Sequence, residues 1–428
     1  MKKSIVFLVI VGVLLFSTAV FAESPLVLWQ FFGVGSETDT VDTATTEPNT
    51  FYAIMRAAIQ ESGMSVNTVQ VDWGQYYTIL NQSLASKKAG DIDIMHIQYL
   101  LPYAKAGLVA NLSNLEKETG IYLDKIIQPQ LLESVTYNGD IYAVNWDVHA
   151  FLWHINKVEF AKAGLLDKDG NPIIPTTAQE FINAAEKYKE VTGQPFVYSD
   201  NGESTPWEFY AWLLQNGGEF LSDDGWKAGF NSKAGVDVLD FMTYLTTHEL
   251  ANFSMTVADE SSALLNGKVA SIFQGTWMVN QYASTSTPEL DLYVTAVPTL
   301  YHVGPAKIWA NAHSFVIPAY LPLQKQVEAY KFLVAMLKYN SYWGNTGHIP
   351  TAQLSQDQLN HFLSLNGEGV RNYYEEVSKE GAILAQPFAG NPWAVILPYL
   401  QKAFLGEATP QSALDEAADA LNRFISQQ

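Results

Sequence analysis

Residues Tyr137 to Leu166 read YNGDIYAVNWDVHAFLWHINKVEFAKAGLL, a turn, a long apolar strand and a helix start in one unbroken tract. Asn138-Gly139 supplies the positive-φ positions of a tight turn, and the apolar and aromatic residues that follow form one extended strand. Side chains alternate along a strand, so Asn145, Asp147 and His149 share one face while Trp146, Val148 and Ala150 share the other. Polar groups are thereby lined up where a ligand could meet them.

The flanking sequence has the same character. Leu26 to Phe32 reads as a strand, Phe51 to Glu61 as a helix, Val66 to Val71 as a strand and Tyr76 to Lys87 as a helix. Ile92 to Ile97 follows as a third strand. Strands alternating with helices at this spacing predict βαβ units and a parallel sheet. Ligands on such sheets bind beyond the carboxyl ends of the strands, which singles out Gln30, Phe31 and Phe32 after the first strand and His96, Gln98 and Tyr99 after the third. Downstream, Thr177 and Glu180 make a capping box, Trp207 to Asn216 a helix closed by Gly217-Gly218, and Leu323 to Lys338 an amphipathic helix. Thr409 and Pro410 open a last helix, with Leu414, Ala417, Leu421 and Phe424 inward. Tyr293 to Pro298 is a second candidate crossing strand, and Tyr339 to Thr351 a third crossing.

Composition narrows the function classes. Lys2 and Lys3, the apolar run Ile5 to Phe16 and Val20-Phe21-Ala22 form a secretory signal peptide over residues 1–22. Its apolar run falls short of the roughly 20 residues a membrane span needs. Cleavage after Ala22 leaves 406 of the 428 residues, and removing Lys2 and Lys3 from the 24 basic residues leaves 22 against 44 acidic ones, a formal charge of −22. Such a chain repels nucleic acid and anionic lipid. With no cysteine, there are no disulfides, thiolate metal sites, cysteine nucleophiles or acylated lipoprotein anchor. A soluble periplasmic location, not a lipoprotein, is the expectation.

Motifs for catalysis are missing. There is no HExxH, GxSxG, GxGxxG or Walker loop, so no catalytic residue is assigned. His149 and His154 are five apart on a strand and fall on opposite faces, and Glu37, Asp39 and Asp42 in the polar segment Gly33 to Thr50 lack EF-hand spacing; no metal or cofactor is expected. The positive signal is aromatic: the chain has 11 tryptophans. Sugars offer flat C–H faces to aromatic rings and hydroxyl rims to Asp, Asn, Gln and His. Most tryptophans are core, so position must select among them.

NGDIYAVN followed by INKVEFAKAGL, from Asn138 to Leu165, resembles the "dGkiYgiP" strand and "yNkdlfeeaGl" helix of bacterial extracellular solute-binding proteins (family 1), which feed sugar-importing ABC transporters. Pro175-Thr176-Thr177, the element Leu221 to Leu245, Leu265-Asn266-Gly267-Lys268, Gln274-Gly275-Thr276-Trp277, the turn Gly347 to Thr351 and the closing helix resemble further landmarks of that family, in its order. The resemblance implies an α/β, two-lobed periplasmic binding protein type II fold whose discontinuous lobes are joined by three hinge segments. Residues 23–146 plus 299–340 would form the N-terminal lobe and 147–298 plus 341–428 the C-terminal lobe. It also places Trp277 in the family's "G.W" turn, Trp207 at an aromatic cleft position, Trp393 where maltose-binding-type relatives stack a sugar, and Asn311 beside the small-residue loop at the cleft. Asp147 and His149 on the crossing strand, with Gln98 and Gln30 beyond the parallel strands, complete the expected ligand-binding set. The function implied is capture of a sugar, oligosaccharide or polyol by a monomer and delivery to an ABC permease. The few arginines, Arg56, Arg371 and Arg423, favour a neutral ligand. A secreted carbohydrate-active enzyme, which would need paired carboxylates, and a sensory protein signalling to a membrane receptor are the alternatives.

Overall fold

Leu26, Leu28 and Gln30 alternate inward along β1 (Leu26–Gln30), as a strand covered on one face requires. The computed structural model describes residues 24–32, 51–202, 204–285, 287–364, 369–384 and 386–427. The signal peptide and the Gly33 to Thr50 segment, with Glu37, Asp39 and Asp42, lie outside these residues. β1 pairs in parallel with β2 (Val66–Gln70) and β3 (Ile92–His96). Connecting them are α1 (Phe51–Ser62), which buries Phe51, Ile54, Met55 and Ala58, and α2 (Trp73–Ala85), which buries Tyr76, Leu80 and Leu84. The three- and four-residue spacing gives each helix one apolar stripe for the sheet.

The decisive tract starts with β4 (Thr136–Tyr137) and β5 (Asp140–Ile141), antiparallel about Asn138 and Gly139, whose φ angles are 52° and 84°. These values are the left-handed pair that a tight hairpin demands. Next come β6 (Val144–Asn145) and β7 (Asp147–Asn156), so the single extended strand expected from sequence is broken at Trp146. The break has a physical cause: β6 belongs to one sheet and β7 to another. Trp146 donates its backbone N–H to the His313 carbonyl at 2.8 Å and lodges its ring among Phe51, Phe315 and Trp343. All ten residues of β7 are buried. Asn156 then caps the following helix, accepting from the Val158 N–H at 3.0 Å.

Beyond β7 the chain lays down β8 (Val197–Asp200), β9 (Ala251–Met255), β10 (Ser271–Gly275), β11 (Leu292–Ala296), β12 (Ile308–Asn311), β13 (His313–Val316), β14 (Ile349–Pro350) and β15 (Gly381–Ala382). Two main sheets result, one of order β2-β1-β3-β13-β6, the other β15-β12-β7-β10-β8-β9 with β11 and β14 also on β7. The sequence expectation for the second crossing is corrected here. Tyr293 to Pro298 stays within the second sheet, where β11 runs antiparallel to β7 with Tyr293 opposite Ile155. The chain changes sheets at Ala312, between β12, paired with β7, and β13, paired with β3 and β6. Alternation identifies a strand but not its partner, and the partner decides the lobe.

The third passage runs from the helix Leu323–Leu337, which packs on α1 and on the helix Leu112–Thr119, through a 3₁₀ turn at Asn340–Thr346 to β14 on β7. Thr409 caps the closing helix Pro410–Ile425, whose Leu414, Ala417 and Leu421 pack against the helices Pro392–Phe404 and Lys233–Thr247. The fold is thus the two-lobed α/β architecture that the family resemblance implies. No helix among the described residues is long and apolar enough to cross a membrane.

Candidate functional site

Asp147 and His149, two apart on β7, project to the same side, and their Oδ1 and Nδ1 atoms are 3.2 Å apart. The start of β13 brings His313 to the same point: its backbone N–H donates to Asp147 Oδ1 at 3.1 Å, and its Nδ1 is 2.9 and 2.8 Å from the two carboxylate oxygens. From the third passage, Trp343 Nε1 donates to Asp147 Oδ2 at 2.7 Å. His348 follows two residues after Thr346, whose hydroxyl donates to the Trp343 carbonyl at 2.6 Å and lies 2.7 Å from His348 Nδ1. Every one of these groups is buried. All three crossing segments therefore meet at one carboxylate.

Burial governs the protonation of this group. It pushes the His149 imidazole down to about 4 and that of His348 down to about 3. Burial likewise pushes the Asp147 carboxyl up, but the His313 and His348 rings and the hydrogen bonds from His149 and His313 outweigh it, holding Asp147 well below the usual carboxylate range. His96, at the end of β3, sits beside the cluster with its ring 4.5 Å from that of His313. Tyr77 orients it, accepting from its backbone N–H at 2.8 Å and lying 2.7 Å from its Nδ1. Phe31 stacks on the same ring at 5.5 Å and 6°.

An aromatic wall continues from His149. Trp277, half-buried, lies 5.8 Å from the His149 ring and 6.2 Å from Trp207. Trp207 stacks on Trp309 at 3.7 Å and 12°. Trp277 rests on Gly275, where a Cβ would run into its indole. Beneath the wall, Asn311 Nδ2 donates to Gln98 Oε1 at 2.9 Å, a bond from the second sheet to the turn that follows β3. Gln98 also lines a cavity of about 260 Å³ between the lobes, with Glu133, Tyr137, Leu384 and Gln386.

Of the residues singled out in the sequence, Asp147, His149, Gln98, Asn311, Trp207 and Trp277 fall in this one region. Gln30 is fully buried at the end of β1, accepting from the Phe32 N–H at 2.6 Å and reaching the Tyr52 hydroxyl at 3.4 Å. Trp393 lies elsewhere, fully buried in the second lobe with its ring 4.6 Å from Phe220 and 5.4 Å from Tyr210. The sequence reading singles out neither His313 nor Trp343, and it takes His348 only as part of the turn Gly347 to Thr351. Each crossing as the structure places it carries a histidine, but the second crossing expected from sequence, Tyr293 to Pro298, has none, and the convergence depends on a sheet pairing that no local pattern displays.

The sequence matches the family model for bacterial extracellular solute-binding proteins over residues 43–338. No curated protein sequence matches significantly. Among solved structures, the cyclic alpha-maltosyl-1,6-maltose binding protein from Arthrobacter globiformis is similar with TM-score 0.76 and 22% identity, over 95% of this chain and 100% of that one. UgpB from Mycobacterium tuberculosis, in complex with glycerophosphocholine, gives TM-score 0.77 and 18% identity over 95% and 99% of the two chains. An ABC transporter solute binding protein from Thermotoga lettingae TMO, bound with alpha-D-tagatose, gives TM-score 0.71 and 23% identity over 94% and 99%. The structural likenesses show a shared fold, and the family match spans well over half of the sequence. On that family match the chain belongs to the bacterial extracellular solute-binding protein family.

Proposed function

We infer that the protein captures a neutral carbohydrate or polyol between its lobes and hands it to an ABC transporter permease, with no covalent step. The observation that carries this reading is the wall of Trp207, Trp277 and Trp309 set beside the polar groups of Gln98, Asn311 and His149. Flat apolar rings adjoining a few fixed hydrogen-bonding groups suit a sugar's C–H faces and hydroxyl rim. Trp207 and Trp277 are only partly buried and keep surface for a ligand, and the wall stands where the chain passes between sheets. Relatives of this fold that bind maltodextrins, tagatose and glycerophosphocholine support a small hydroxylated ligand. On sheet membership we assign 24–146 plus 313–337 to the first lobe and 147–311 plus 349–427 to the second. A ligand touching both lobes binds the closed form more tightly and shifts the population toward it. Export through the signal peptide would place the protein where such a permease collects its substrate.

A thermal-shift screen of the mature protein against monosaccharides, oligosaccharides, polyols and uronates tests the reading. One or more neutral sugars should stabilise it by about 2.7 kcal/mol at 100 times the dissociation constant, and Trp277→Ala should cut that stabilisation to about half or less while the protein stays folded. If no carbohydrate or polyol shifts the melt while a peptide does, the reading is wrong. Release of reducing ends from an oligosaccharide would move the assignment to an enzyme.

A further inference from the structure

We propose that Asp147, His149, His313 and His348 form a binding site for a single divalent transition-metal ion of the zinc class, held where the three crossing segments meet. The four side chains each offer one ligand atom, and these atoms lie within 4.8 Å of one another. Asp147 Oδ1 and His149 Nδ1 are 3.2 Å apart, and Asp147 Oδ2 and His313 Nδ1 are 2.8 Å apart. Bonds of about 2.0 to 2.2 Å to a tetrahedral ion place its ligand atoms about 3.3 to 3.6 Å from each other. The closest pairs would open by a few tenths of an ångström while the wider ones, all within 4.8 Å, would draw in.

The carboxylate does not need three imidazoles. Its Oδ1 already accepts the His313 backbone N–H and its Oδ2 the Trp343 indole N–H, so both oxygens have donors without any histidine ring. A carboxylate accepts about four hydrogen bonds, so the His149 and His313 rings can fill its remaining sites, but His348, whose Nδ1 bonds to Thr346, is gathered at the same point for no bond to the carboxylate, and a shared cation accounts for it. The surrounding bonds also orient the ligands as a metal site requires. Thr346 spends its hydroxyl hydrogen on the Trp343 carbonyl, so it must accept from His348 Nδ1–H. That fixes the tautomer of His348 with its Nε2 lone pair available. The Trp343 indole similarly pins the carboxylate. Three nitrogens and one oxygen in a buried setting suit zinc, with cobalt, nickel and copper as chemical neighbours, whereas calcium and magnesium prefer oxygen ligands throughout. By joining β7, the β12–β13 crossing and the segment before β14, the ion would brace the joint between the lobes. This proposal does not depend on the carbohydrate reading.

The test uses the full mature protein without a histidine tag, stripped with a chelator, desalted and exposed to micromolar Zn²⁺ or Co²⁺. The expected result is retention of a single ion per chain by elemental analysis, with the intense visible bands of four-coordinate cobalt and a higher melting temperature. His313→Gln and His348→Gln should each lower retention to about a tenth or less, while His248→Gln and His302→Gln, at exposed positions, retain it fully. Should the ligand variants fail to fold, Trp343→Phe keeps all four ligands and should weaken affinity about 10- to 100-fold through the freed carboxylate. Wild-type protein that retains no stoichiometric ion, or cobalt with only the weak spectrum of the hydrated ion, overturns the proposal. So does retention undiminished in folded His313→Gln and His348→Gln. Sugar titrations on the stripped and loaded forms report separately on the carbohydrate site.

Discussion

Two tryptophans that look alike in sequence have opposite settings in the fold. Trp277 stands half-buried on Gly275 at the edge of the wall, whereas Trp393 is sealed between Tyr210 and Phe220. Trp393→Ala should cost about 3 to 5 kcal/mol in urea unfolding, the range for emptying a large aromatic from a core, and leave sugar affinity of the folded fraction unchanged. Trp277→Ala should do the reverse, lowering affinity at least about tenfold in calorimetric titration with little loss of stability. Equal effects of the two on stability would show that the wall is core. Titratable residues next to β10 give a second residue-scale prediction. His154, which donates Nε2–H to the Gln274 carbonyl at 3.1 Å, is pushed by burial from 6.5 down to about 4. Between these values the unfolded chain holds the extra proton, so stability falls as pH drops from 6.5 towards 4. Glu260 is pushed by burial from 4.5 up to about 9, one oxygen accepting from Gln274 Nε2 at 2.7 Å. Here the folded chain holds the extra proton, so stability falls as pH rises from 4.5 towards 9. His154→Gln should flatten the acid limb and Glu260→Gln the alkaline limb, each by on the order of 1 to 3 kcal/mol across its window. Denaturation series at stepped pH would show this, and curves parallel to wild type would refute it.

At the scale of elements, the turn before β14 is the most constrained joint. Gly347 has a φ of 85°, and a Cβ there would collide with the Thr276 carbonyl, while its own carbonyl accepts from the Tyr373 hydroxyl at 3.0 Å. Gly347→Ala should therefore cost at least about 1 to 3 kcal/mol in thermal or urea unfolding, by strain and by displacement of His348 and the β14 segment. A variant as stable as wild type would mean that the turn relaxes freely. Most elements were legible because their signals are local. The Thr177 cap accepts from the Glu180 N–H at 3.1 Å, and Gly217 ends its helix at a φ of 75°. Trp146 and Tyr293 were misread for a non-local reason: a strand's period shows which residues share a face, not which sheet it joins.

For the whole molecule, ligand should act as a clamp. Saturating sugar should contract the radius of gyration in solution scattering and raise the unfolding midpoint together, because ligand bound to both lobes favours the closed form. Stabilisation without contraction would place the ligand within one lobe. If the ligand is neutral, raising salt from about 0.1 to 1 M, which shortens the screening length from about 10 to 3 Å, should leave affinity unchanged within about twofold despite the chain's acidity. A steep salt dependence would identify a charged ligand instead.

What the sequence determined by itself were the two-lobed α/β class, the family, the run of elements and six of the residues that gather around His149. Each follows from composition, short-range periodicity or an ordered succession of motifs. Only the tertiary structure decided that the second sheet change falls at Ala312, that Trp393 is sealed in the second lobe, and that His149, His313 and His348 close on Asp147. These residues come from segments up to about 200 positions apart, from Asp147 to His348. Their meeting is set by hydrogen-bond pairing of β7, β13 and β14 across the whole chain, and no local pattern of side chains carries that information.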